Sequence, residues 1–95
     1  MLPTSKTTGR KTSSALIATG KAILTGVLVE TDGTNDATVI VYDNTAGSGT
    51  IVFKAIVTGA DDRDFFDLGT VRAKCDTGLY LSISGTGAAA IVYYQ

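Results

Sequence analysis

A chain of 95 residues with 44% hydrophobic and 18% charged side chains fits one globular domain and leaves little for a second. It has no histidine and one cysteine, which removes the commonest general base and metal ligand and excludes an internal disulfide framework. Net charge is −1; no apolar run approaches the roughly 20 residues of a membrane-spanning helix, and the first residues lack the apolar core of a secretion signal.

Residues 1–14, MLPTSKTTGRKTSS, show neither strand alternation nor a helical stripe. They read as an extended basic arm, disordered alone or ordered by a partner. With Lys21, the arm residues Lys6, Arg10 and Lys11 make up half of the basic residues, and no acid precedes Glu30. From Ala22 onward four basic residues stand against nine acidic ones, a balance of −5. Lys6, Arg10 and Lys11 are therefore the candidate partner-binding residues, with a frayed tail as the alternative. Fully extended, the arm reaches about 46 Å, further than a domain of this size is wide.

Residues 15–95 read as the folded body. Ala15–Thr19 is a short apolar patch closed by Gly20, a candidate edge strand. Lys21–Thr31 is a stronger strand, with Gly26 marking a bulge or a close backbone approach that resets the register before Val27 and Val29. Asp32–Asp36 is a loop of turn formers opened by Asp-Gly. Thr38–Asp43 and Ile51–Thr58 are strands around a Gly/Ser-rich loop. Alternation puts Ile51, Phe53, Ala55 and Val57 on one face, with Val52, Lys54 and Ile56 on the other. Both faces are apolar, so one is expected in the core and the other against a partner.

After the charged loop Gly59–Asp64, Phe65, Phe66 and Leu68 form a short strand with Asp67 turned away. Val71, Ala73 and Cys75 alternate inward. Leu79, Leu81 and Ile83 point inward opposite Tyr80, Ser82 and Ser84, the clearest alternation in the chain. A Gly85–Gly87 turn leads into a last strand, Ala88–Tyr94. Seven or eight short strands at roughly ten-residue spacing predict an all-β fold. An antiparallel β-sandwich of jelly-roll type fits best and a small open barrel second.

The candidates for chemistry each have a simpler reading. Asp32, Asn35 and Asp36 offer hard oxygens, but calcium needs six to eight and turn chemistry explains the same residues. Asp61, Asp62 and Asp64 surround Arg63 as a solvated loop. Gly85-Thr86-Gly87 precedes a strand, not the helix a dinucleotide site needs. Cys75 reads as a small core hydrophobe. No catalytic set emerges, and no cofactor is implied. Tyr42, Tyr80, Tyr93 and Tyr94 are interface candidates, since outward tyrosines bring area and a hydroxyl, or else ordinary half-buried strand residues. An acidic body with four basic residues near its start is a poor nucleic-acid platform.

Two segments, TDGTNDATVIVYDNTAGSGT and TGLYLSISGTGAAAIVYY, resemble small all-β structural proteins of tailed-bacteriophage particles. These include head decoration (cement) proteins and related neck and tail components. The likeness runs from about Gly26 to the C-terminus and leaves the arm uncovered. Such proteins are sandwich-like, act without cofactors and often assemble as trimers. The resemblance thus implies a non-enzymatic virion protein, made in the host cytoplasm and sited on the capsid surface. It would bridge major capsid subunits as a homo-oligomer, a trimer being favoured, with no membrane or specific nucleic-acid partner. Lys6, Arg10 and Lys11 would then anchor the arm, while Tyr42, Tyr80, Tyr93 and Tyr94 and the apolar second face make self-contacts. A neck or tail component is the alternative. A carbohydrate-binding sandwich is another, which the lack of tryptophan disfavours.

Overall fold

The computed structural model describes residues 5–69 and 72–95. The strands are β1 (Lys6–Thr7), β2 (Ala15–Thr19), β3 (Ala22–Glu30), β4 (Ala37–Asp43), β5 (Thr50–Val57), β6 (Arg63–Asp67), β7 (Ala73–Cys75), β8 (Gly78–Ser84) and β9 (Ala89–Tyr94). Gly59–Asp61 makes a single 3-10 turn, and no α-helix occurs among the described residues. The inward assignment of Val71 and the first four residues of the arm lie outside the described residues.

The strands form two antiparallel sheets. Sheet A runs β1-β9-β3, with the far side of β3 shared by β7 along Ala22–Leu24 and β6 along Gly26–Glu30. Sheet B runs β2-β8-β4-β5. The pairs nest: β4 with β5, β3 with β6 and β7, β2 with β8, β1 with β9. One long hairpin is thus rolled up so that successive rungs fall in alternate sheets, which is the winding of a jelly roll. The expected all-β sandwich is the fold.

Period-two patterning builds the core between the sheets. Leu24, Val27, Val29 and Val92 from sheet A meet Val39, Val41, Leu79 and Leu81 from sheet B, all fully buried. Phe53 on β5, an edge strand of sheet B, meets Phe66 on β6, an edge strand of sheet A, in an edge-on ring contact at 5.4 Å. Cys75 faces this core, and burial first, then the Asp43 and Asp76 carboxylates, push its thiol up to about 11. A thiol held neutral and enclosed packs as a hydrophobe.

Two bulges decide which residues face out. In β3 the register against β9 shifts between Leu24 and Gly26, so Thr25 is the extra residue and Leu24, Val27 and Val29 all reach the core. Gly26 is needed there because the Phe65 ring lies over its backbone, 3.1 Å from where a Cβ would stand. In β5 the register against β4 shifts between Val41 and Tyr42, which leaves Val52 as the extra residue. This corrects the expected grouping: Val52 and Phe53 both pack on the core, while Ile51 turns outward at 49% exposure. Phe65 also departs from expectation, standing 52% exposed beside Asp67 while Phe66 and Leu68 turn in.

Candidate interaction surface

The outer face of sheet B is built by strand residues that alternate with the core set. Register places Leu16 beside Tyr80, Tyr80 beside Tyr42, and Tyr42 beside Ile51. These four side chains form one apolar and aromatic row across the full width of the sheet, from β2 through β8 and β4 to β5. Leu16 is 46% exposed, and the loop after β4 leans in so that Gly47 lies against the Tyr80 ring. Ile40 opposite Lys54 and Thr38 opposite Ile56 form the next rungs, with Ile56 61% exposed. An antiparallel sheet facing water alone normally presents polar side chains there.

The outer face of sheet A carries a smaller patch. Leu28 is flanked by Phe65 on β6 and Ile91 on β9. Tyr93 meets the Phe65 ring edge-on at 5.9 Å. The four candidate tyrosines therefore divide. Tyr42 and Tyr80 share the face of sheet B, Tyr93 lies on that of sheet A, and Tyr94 turns inward against the edge of the core. The Lys6 ammonium sits 5.9 Å from the Tyr94 ring centre, a cation–π arrangement at the sheet edge.

In the described part of the arm, residues 6–11 lie along β9 as the edge of sheet A, and Ser14 bonds to Ile83 of sheet B. Lys11 and Ala90 exchange backbone hydrogen bonds at 2.8 and 2.9 Å, and the Arg10 guanidinium pairs with Glu30 at 3.1 Å. Two of the three candidate arm cations are thus engaged by this chain's own body through side chain or backbone, and Lys6 rests on Tyr94. The strand β1 belongs to the sandwich rather than hanging from it. Leu16, Ile51, Ile56 and Phe65 are large apolar side chains that stand exposed. Alternation in the sequence sets Ile51 and Ile56 on opposite faces of one strand, either of which is open to a partner, and gives Leu16 and Phe65 no such role.

The loops at one end hold themselves together. Asp32 accepts the N–H groups of Thr34 and Asn35 at 2.9 and 2.7 Å, and the Asn35 side-chain amide at 2.8 Å. Its pKa falls below the ordinary value because of the Asn35 backbone bond first, then the Asn35 side chain and the Thr34 backbone. Asp36 accepts the Gly59 N–H at 3.0 Å. The buried Thr31 hydroxyl lies 3.1 Å from the carbonyls of both Gly59 and Asp62 and accepts the Gly33 N–H. Among the described residues no cluster of three His, Cys, Asp or Glu is arranged to hold a metal. No described helix is long and apolar enough to cross a membrane.

No protein-family model matches the chain, and neither a curated protein nor a solved structure is found to match it.

Proposed function

We propose that the chain is a non-enzymatic structural protein of a tailed-phage particle, a decoration (cement) protein that seats the outer face of sheet B on major capsid subunits. The observation that carries this reading is the Leu16–Tyr80–Tyr42–Ile51 row, flanked by Ile56 and Lys54. Apolar and tyrosine side chains set in a polar surround are the makeup of a protein interface. A row that crosses four strands presents them on a rigid sheet, so little side-chain freedom is lost on docking. The resemblance of the two segments to phage structural proteins supports the same reading. The jelly roll alone does not choose a role, since capsid proteins and lectins both use it.

In this reading the body self-associates, as a trimer by the resemblance, and several weak contacts act together on the shell. Sheet B faces the coat, while the arm side of sheet A is left for neighbouring copies. The test is co-sedimentation with undecorated coat shells of the same particle. The wild-type chain pellets with the shells, and a Tyr42→Ala, Ile51→Asp double variant stays in solution with its fold intact by circular dichroism. A double variant that pellets as well as wild type assigns docking to another face, and a wild-type chain that ignores the shells removes the reading.

A further inference from the structure

We infer that the β9 edge is a docking site for the arm of a second copy of this chain, so that β1 is exchanged between subunits. The inference rests on the self-assembly part of the reading above. The complementarity of the site is visible because the chain's own arm fills it. Lys6 and Thr7 pair with Tyr94 and Tyr93, the Thr8 N–H donates to the Val92 carbonyl at 3.0 Å, and Lys11 and Ala90 bond in both directions. Arg10 meets Glu30, and the Ser5 hydroxyl lies 2.8 Å from that of Thr25. Each of these contacts joins arm to body, and an arm arriving from a neighbour makes the same set.

The attachment is of a kind that is easily exchanged. Residues 5–14, SKTTGRKTSS, contain no hydrophobic side chain, so the arm is held by hydrogen bonds and charge rather than by apolar burial. Beyond Lys11 the chain is anchored again at Ser14, whose hydroxyl accepts the Ile83 N–H at 2.9 Å. Between these points lie Thr12 and Ser13, both exposed. That joint spans roughly 10 Å when extended, so exchange places two bodies edge to edge at β9. With its own arm away, β9 is an open strand edge, which pairs with whatever extended segment fits it. A second copy brings the fitting segment, and swapping an identical element needs no new interface chemistry.

Two full-length single variants, Thr7→Cys and Tyr93→Cys, test the exchange. The buried Cys75 stays in place, and free thiols are alkylated before denaturation. The Thr7–Tyr93 pair adjoins the Thr8–Val92 bond, so it is a non-bonded pair. Such pairs in an antiparallel ladder have Cα atoms about 4.5 Å apart, within the span of a disulfide. Mixed in equal amounts and oxidised, the two variants give a covalent heterodimer if arms are exchanged. No heterodimer, with the double variant closing wholly within single chains, overturns the inference. Arg10→Glu and Glu30→Arg chains give a second reading without new thiols. Under exchange, mixing them enriches mixed assemblies above their statistical share in native mass spectrometry, and no enrichment overturns it. Light scattering on the wild-type chain separates the two ways to fail. A stable oligomer without heterodimer overturns exchange and leaves self-assembly standing, whereas a monomer at every concentration removes both.

Discussion

Asp43, at the end of β4, receives the backbone N–H groups of Asp76, Thr77 and Gly78 at 3.0, 2.8 and 3.3 Å. Those donors run from the turn after β7 into Gly78, the first residue of β8, so one carboxylate fastens the passage from sheet A to sheet B. The bonds hold its pKa below the ordinary 3.8, Thr77 contributing most, then Asp76, with Gly78 adding less. A carboxylate whose folded pKa is depressed stabilises the fold above its unfolded pKa and loses that contribution as pH falls through the folded value. The resistance of the wild-type chain to urea should therefore fall as pH drops below about 4. Asp43→Asn should start less stable at pH 7 and show a flatter acid limb; an unchanged limb would assign the pH dependence to other groups. Nothing in the local sequence announced this role, because Asp43 reads as the polar end of a strand entering a turn and its donors lie 33 to 35 positions away.

At the scale of elements, strands with one extra residue separate what sequence shows from what it hides. The bulge in β3 was legible because Gly26 interrupts an otherwise largely aliphatic run and the inward set changes parity around it. The bulge in β5 was not, since Val52 sits in an unbroken apolar run, and either face of Ile51-Val52-Phe53 satisfies alternation. That single slip turns Ile51 away from the core and into the exposed row on sheet B, as expected when the side-chain period is two. Leu16 was hidden for a related reason: a five-residue apolar strand with its own register shift carries too few positions to reveal its faces. The arm's course was hidden as well, because polar edge strands have no hydrophobic periodicity and β1 is ordered by pairing with β9, far along the chain.

Glycines in the loop end give a prediction of their own. A Cβ on Gly59 would collide with the backbone of Thr34 and Asn35, whereas one on Gly26 would meet the flexible and half-exposed Phe65 ring. The backbone of the β3–β4 loop is also held by Asp32 and Asp36, so it has little room to give. Gly59→Ala should lower the denaturant midpoint more than Gly26→Ala does. Equal midpoints would mean that this end of the sandwich yields more readily than its hydrogen bonds suggest.

The whole molecule is a rolled hairpin with two unlike outer faces and one strapped edge. A domain of this size has a thin margin of buried surface, and both outer faces carry exposed apolar side chains. The fold class followed from turn spacing and alternation, which depend on local sequence. Which side chains stand on each outer face depends on register, which only the pairing of distant strands fixes. In the proposed arrangement, sheet B meets the coat and the β9 edge meets the next copy, so docking and self-assembly use separate surfaces and reinforce one another.

The most direct test of that arrangement is a hydroxyl-radical footprint of side chains on the protein free in solution and bound to coat shells. If sheet B seats on the coat, Leu16, Tyr42, Ile51, Ile56 and Tyr80 lose labelling on the shell, while any protection of Thr7 and Tyr93 is already present in the free oligomer. Shell-bound protein in which the sheet B row labels as strongly as in solution, with new protection confined to sheet A, would contradict it.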